Sequence, residues 1–320
     1  MDAPAPEHLT GPAETRTCDV LVMGGGPGGA ATAAFLARAG LDVVLVEADR
    51  HPRFHVGESL LPHSLPVLEE LGVLEEVRRI GVHKPGAAFV SPCGTREVAF
   101  NFSRALLEGP GHAYQVHRSE FDALLFRRAA EMGAEVHEET MADVSDLGVS
   151  EASITTTGPD GRRIEWTTRF LVDASGRSTV LSKRLDQKRP DPRNTSAAIF
   201  GHFTNVPRAE GPEGGNIRIH LTDPGWMWQI PLTGGITSIG LVAPGDYMKA
   251  RVGGIQAFFD AHVARHPGMA EALAKADVER PLTATGNFSY RATEATGPSH
   301  VKVGDAYGFL DPIFSTGVTR

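Results

Sequence analysis

The pattern of apolar and polar positions changes period twice within the first fifty residues. The segment DVLVM (19–23) is almost continuously apolar and rich in valine, as in a strand covered on both faces. AATAAFLARAG (30–40) is rich in strong helix formers, and Gly40 stands where a helix should stop. LDVVLVEA (41–48) is a second buried strand, with Glu47 at its end. Between first strand and helix lies a glycine turn with Gly24, Gly26 and Gly29 in the GxGxxG positions. Strand, glycine turn, helix, strand and acid come in the order of a dinucleotide-binding βαβ unit. The glycines allow a tight turn and close approach to a pyrophosphate, and the helix N-terminus faces that anion with free N–H groups. Glu47, about twenty residues past the loop, is placed to accept from both hydroxyls of a ribose. That acid points to FAD or NAD rather than a 2′-phosphorylated dinucleotide.

After Glu47 the regular alternation breaks. Residues 49–62 read as a loop, 63–81 as helix, and 84–102 as two strands with a turn, with His83 and Pro85 as turn residues on either side of Lys84. Residues 117–138 read as an amphipathic helix feeding a strand. Residues 149–176 alternate on both sides of GPDG, the signature of a hairpin. Residues 206–219 form a polar Gly/Pro loop, and 253–276 read as helix, break, helix. In DPGWMWQIPL (223–232), Trp226 and Trp228 are two apart, so on a strand both indoles line one surface, and Pro231 ends or edges that strand. Such a pair either packs one sheet onto a neighbour or walls off a pocket.

Composition narrows the classes. In 320 residues, 41% are hydrophobic and 22% charged, as in a soluble globular protein. A formal net charge of −8 offers no basic footprint for nucleic acid. No stretch of about eighteen apolar residues reads as a membrane span. The two cysteines, Cys18 and Cys93, form no metal-ligand spacing; Cys18 reads as a small buried hydrophobe, and free thiols fit a cytoplasmic location. His262 and His266 are four apart without an acid or third ligand, which reads as a solvated helix face and not a metal site. Residues 1–17 are Pro- and Ala-rich without the regions of a signal peptide and read as a disordered lead-in.

Five ordered segments, GGGPGGA, VGESLLP, HRSEFD, FLVDASGRS and VGDAYGFLDPIFSTGV, resemble the FAD-dependent monooxygenase superfamily of the para-hydroxybenzoate hydroxylase type, and the resemblance runs from Asp19 onward. It implies an α/β fold: a Rossmann-type FAD-binding domain (18–190 and 296–320, with β insertions) interleaved with a substrate-side β-sheet and helices (191–295). It implies FAD as cofactor, with Gly24, Gly26, Gly29, Glu47, Ser59, Arg118, Asp305, Pro312 and Gly317 as its binding residues. WMWQIP further resembles WxWxIP, the mark of flavin-dependent halogenases, in which the indoles stand between flavin and substrate. By that resemblance Thr316 and Gly317 match the backbone amides that bind chloride, and Lys84 matches an essential lysine. Phe314 occupies the position where tryptophan halogenases carry a glutamate, as in the halogenases of phenols and pyrroles.

The resemblance therefore implies chlorination of an electron-rich phenolic or pyrrolic ring in secondary-metabolite biosynthesis, by way of a flavin hydroperoxide and hypochlorous acid relayed to Lys84. The catalytic set is Lys84, Trp226 and Trp228. Nothing resembles a second nicotinamide site, so reduced FAD is expected from a separate flavin reductase, and a carrier protein bearing the substrate is a further expected partner. A long helix is expected to begin at STGV, so the end at Arg320 reads as a C-terminal truncation, and the activity of the chain is left open. Two alternatives stand beside this reading: an FAD-dependent aromatic hydroxylase that binds NADPH itself, and a truncated, inactive flavin-binding protein.

Overall fold

In the computed structural model, the first apolar run becomes the strand Glu14–Met23, which pairs in parallel with Val43–Val46 on one side and Arg163–Asp173 on the other. The structure describes residues 14–106, 109–192, 195–286, 289–309, 312–315 and 318. Residues 14–17, expected in a disordered lead-in, instead extend this strand, because the long hairpin arm Arg163–Asp173 offers their backbone a partner from Glu14 onward. The run is apolar without alternation because both faces are covered. Val20, Val22, Val43 and Leu45 pack on the helices Pro27–Arg38 and Arg118–Glu131, through Ala30, Ala33, Phe121 and Leu125. Leu21, Met23, Val44 and Val46 pack on the antiparallel strands Met141–Leu147 and Ala152–Thr157, through Val144 and Ile154. Buried Cys18 belongs to this second layer, where burial pushes its thiol up to about 11. Glu135–His137 and His300–Lys302 extend the parallel sheet at its two sides.

The second sheet has seven strands, in the order Asp277–Thr285, Ser196–Thr204, Thr237–Pro244, Gly225–Pro231, Ile217–Thr222, Gly86–Val90, Glu97–Asn101. Two of these, Gly86–Val90 and Glu97–Asn101, come from the region assigned by sequence to the FAD-binding domain. Alternation along the central strand Gly225–Pro231 splits its side chains cleanly. Met227 faces the helices Gly254–Arg265 and Pro267–Leu273, with Ile199, Leu241 and Phe259. Trp226, Trp228 and Ile230 face the other way, with Ala198 and Phe200. The expected helix at 63–81 is two short helices, Leu65–Glu70 and Leu74–Ile80, separated at Gly72, whose φ of +72° only glycine adopts cheaply.

His262 and His266 depart from expectation: both are about 2% exposed, not solvated. The His262 ring donates to the Phe258 carbonyl. His266 accepts from the Met269 N–H through Nδ1, capping the helix Pro267–Leu273, and donates through Nε2 to the Ser91 carbonyl. No helix among the described residues is long and apolar enough to cross a membrane.

Candidate functional site

The three loop glycines do different things. A Cβ on Gly24, which has φ +111°, would lie 2.3 Å from the Ala174 carbonyl oxygen, so this glycine lets two strand ends touch. A Cβ on Gly29 would lie 1.9 Å from the Gly24 carbonyl oxygen, so this one seats the helix on the turn. A Cβ on Gly26 meets nothing nearer than 3.8 Å. Packing does not demand a glycine there; the space beside it belongs to a cavity of about 470 Å³. Gly26 also caps the helix Pro27–Arg38, so the first-turn N–H groups open onto that space. A loop of this shape fits a pyrophosphate.

Glu47 directly follows the second strand and is buried. Its carboxylate accepts from the N–H of Gly25 at 2.7 Å, from the N–H of Asp49 at 3.0 Å, and from Arg53 at 3.3 Å. Burial opposes its charge, but Arg53 and these N–H groups outweigh burial and hold the carboxyl below its usual range. Sequence reading missed Arg53, and with it the network behind Glu47. Arg53 also reaches Asp122 at 3.1 Å, and Asp122 takes a bidentate pair from Arg118, at 2.7 and 3.0 Å. Arg118 further donates to the carbonyls of Val56 and Gly57. The expected flavin-contacting arginine is thus engaged by the protein itself, one helical turn from Asp122, a spacing readable in HRSEFD.

One cavity gathers most of the expected residues: Gly24, Gly26, Gly29, Glu47, Ser59, Arg118, Trp226, Trp228 and Asp305 all line it. The indoles are buried on one face of their strand, with ring centroids 5.9 Å apart, and Trp228 donates to the Ser238 hydroxyl at 3.0 Å. Trp228 lies over Gly240 of the neighbouring strand, where a Cβ would come within 2.2 Å of the ring. Asp305 sits on a turn whose backbone carbonyl accepts from the Tyr290 hydroxyl at 2.8 Å. Pro312 begins a turn, Pro312–Phe314, and beyond it Ser315 and Val318 line the cavity. Thr316 and Gly317, the expected chloride site, lie outside the described residues.

Lys84 lies outside the cavity lining. Neither it nor His83 is in a turn: both belong to the strand Gly81–Lys84, which pairs with Ala113–Val116. Lys84 is only 1% exposed, and no carboxylate among the described residues lies within 4.0 Å of its ammonium. Its Nζ donates to the Ser59 hydroxyl at 2.7 Å and the Leu60 carbonyl at 2.8 Å, and lies 5.3 Å from the centre of the Phe102 ring. Burial alone brings its pKa down to about 7. A second cavity, of about 480 Å³, adjoins the first and shares Glu58 with it. There Glu58, fully buried, accepts from His202 at 3.0 Å. Burial works against its charge, but His202 and the Gly57 N–H hold Glu58 below the usual carboxylate range.

Comparison with known proteins gives the family. A family described as FAD binding domain matches residues 17–295. A 1H-pyrrole-2-carbonyl (peptidyl-carrier protein) chlorinase of Pseudomonas fluorescens is 33% identical over 94% of this chain and 72% of its own length. The chain belongs to the flavin-dependent halogenases. Another relative in that family, the flavin-dependent halogenase armH3 of Armillaria mellea, is 37% identical over 94% of this chain. Among solved halogenase structures, the myxobacterial chondrochloren halogenase CndH superposes with a TM-score of 0.89 at 32% identity, covering 95% of this chain and 71% of that one. The chain spans 64% of the length of armH3 and 61% of armH5 from the same fungus.

Proposed function

We propose that this chain carries out FAD-dependent halogenation of an electron-rich phenolic or pyrrolic ring, with chloride as the halide. The observation that carries the reading is Lys84: an amine buried without a carboxylate partner among the described residues, brought close to neutrality, and bonded to Ser59 in the wall of the dinucleotide cavity. A surface or structural lysine has no need of that combination, whereas an amine that accepts electrophilic chlorine must be neutral to do so.

FAD, when bound, supplies the oxygen activation that oxidises the halide. The chain's own residues do the rest. The glycine loop and Glu47 would hold the pyrophosphate and ribose, and Asp305 the cofactor's middle. Trp226 and Trp228 form a rigid apolar wall that keeps the aromatic substrate from the cofactor. Lys84, hydrogen-bonded to Ser59 in the cavity wall, would offer its lone pair to the chlorine of hypochlorous acid, releasing water, and the ring would then take that chlorine from nitrogen and return its proton to the amine. In this reading the amides of Thr316 and Gly317 bind chloride, a separate reductase supplies reduced FAD, and the chain works in the cytoplasm on secondary metabolites. The printed name of the Pseudomonas relative favours a pyrrole held on a carrier protein as one substrate to try.

The test is product analysis by mass spectrometry with FAD, a flavin reductase, chloride, and phenols and pyrroles both free and carrier-bound. Chlorinated product that vanishes in Lys84→Ala is expected. Hydroxylated product formed with NADPH and no reductase would overturn the reading in favour of a hydroxylase.

A further inference from the structure

We propose that Ser59 is a positioning residue for Lys84: its hydroxyl, together with the Leu60 carbonyl, takes both hydrogens of the neutral amine and so fixes where the nitrogen lone pair points. The proposal rests on the reading of Lys84 as the halogen-accepting amine. It gives Ser59 a role beyond lining the cofactor cavity.

The argument is one of valence. A neutral primary amine has four tetrahedral directions: one carbon, two hydrogens and a lone pair. Two acceptors, at 2.7 and 2.8 Å from Nζ, use both hydrogens. The lone pair is left with the one remaining direction. Neither acceptor is loose. Leu60 donates its N–H to the Tyr114 carbonyl, Ser59 bridges to Gln115, and Glu58 accepts from the Val116 N–H. Lys84 is registered against Ala113 on the same Ala113–Val116 strand. Lysine and acceptors are therefore mounted on one strand from its two sides, and their separation is set by backbone pairing. A charged ammonium would have a third hydrogen to place, and among the described residues only the Phe102 ring stands within the contacts seen there. No charged group among the described residues adds to the effect of burial on this amine. Ser59, buried yet lining the cofactor cavity, keeps its own O–H to donate elsewhere, which makes it the polar group common to the cavity and the lysine.

The experiment uses the full chain with Ser59→Ala, Ser59→Thr and the near-isosteric Ser59→Cys, each checked by thermal melting. The first readout needs no flavin: the rate of carbamylation of Lys84 by cyanate, followed by peptide mass spectrometry as a function of pH. In that reaction the amine adds to the carbon of isocyanic acid, its proton moves to the isocyanate nitrogen, and a urea results. The second readout is chlorination with reductase and chloride. An acceptor favours the charged form, so its loss in Ser59→Ala is expected to lower the pH midpoint of carbamylation. The kcat for chlorination should fall at least tenfold with the KM for the aromatic substrate unchanged, and Ser59→Thr should restore both. Where Ser59→Ala does not fold, Ser59→Cys carries the same expectation. An unchanged midpoint and kcat in a folded variant overturn the positioning role, while loss of product in Lys84→Ala leaves the halogenation reading standing. Chlorination by Lys84→Ala overturns that reading and the proposal with it.

Discussion

At the scale of one residue, the glycine loop separates binding from folding. Gly26 has open cavity beside its Cα, and Gly29 has a carbonyl oxygen. Gly26→Glu should therefore fold normally by circular dichroism and lose retention of FAD through gel filtration, by tenfold or more. Gly29→Ala should do the opposite to the fold: its methyl has no room, and overpacking of this kind costs about 1–3 kcal/mol. Equal flavin retention by Gly26→Glu and the parent chain would show that the loop does not face the pyrophosphate. Lys84 makes a pH prediction. Its pKa in the fold, about 7, lies below the ordinary 10.5. Between those values the unfolded chain binds a proton that the folded amine lacks, so stability must rise with pH, by at most about 1.4 kcal/mol per pH unit. Below pH 7 both states are protonated and the cost of burying the charge is at its full value. Urea midpoints of the parent chain should accordingly gain on those of Lys84→Met from pH 7 to 10. A constant difference across that range would mean that the buried amine stays charged.

At the scale of the element, the indole strand shows what local sequence can and cannot say. Two residues of spacing were enough to put Trp226 and Trp228 on one face, and the alternation with Met227 confirms that face. Their partners were not legible, because Gly240 lies a whole strand away and matters only through the pairing Trp228↔Gly240. The burial of Lys84 was hidden for the same reason: it depends on the strand Ala113–Val116, which a reading of neighbours along the chain does not bring near. His262 and His266 misled because helical spacing identifies a shared face but not which side of the sheet covers it. The strand makes a testable claim. Gly240→Ala should displace the Trp228 ring, break its bond to Ser238, and destabilise the chain by about 1–3 kcal/mol with a change in indole fluorescence. Retention of the parent spectrum and midpoint would mean that the ring is not seated on Gly240. Trp228→Ala removes more, roughly 3–5 kcal/mol, so a change of product in that variant counts only beside a stability measurement.

At the scale of the whole molecule, a chain of buried charges ties the cofactor loop to the long helix that follows it. Glu47 just past the second strand, Arg53 on the loop after it, and Asp122 and Arg118 on the following long helix form one buried chain. Asp122 is fully buried between two arginines, so Asp122→Ala takes a carboxylate from both guanidinium groups, leaving Arg53 with Glu47 and Arg118 with backbone carbonyls. Removing one partner of a buried ion pair costs about 3–5 kcal/mol, which urea unfolding would register as a lower midpoint. A loss under 1 kcal/mol would show that water replaces the carboxylate freely. The parallel sheet and its loop were readable because every part of a βαβ unit is contiguous in sequence. The second sheet was readable only in part, since Gly86–Val90 and Glu97–Asn101 join it across more than a hundred residues.

The contact between Trp228 and Gly240 also constrains descent. An indole over a bare Cα is a pair of residues in which the order of change matters. A side chain enters position 240 without strain only after the ring at 228 has shrunk, and a ring is regained at 228 without strain only where 240 has stayed glycine. Loss of the second indole would thus be easy to pass on and hard to reverse, so a branch that abandons it should drift at position 240 and not return.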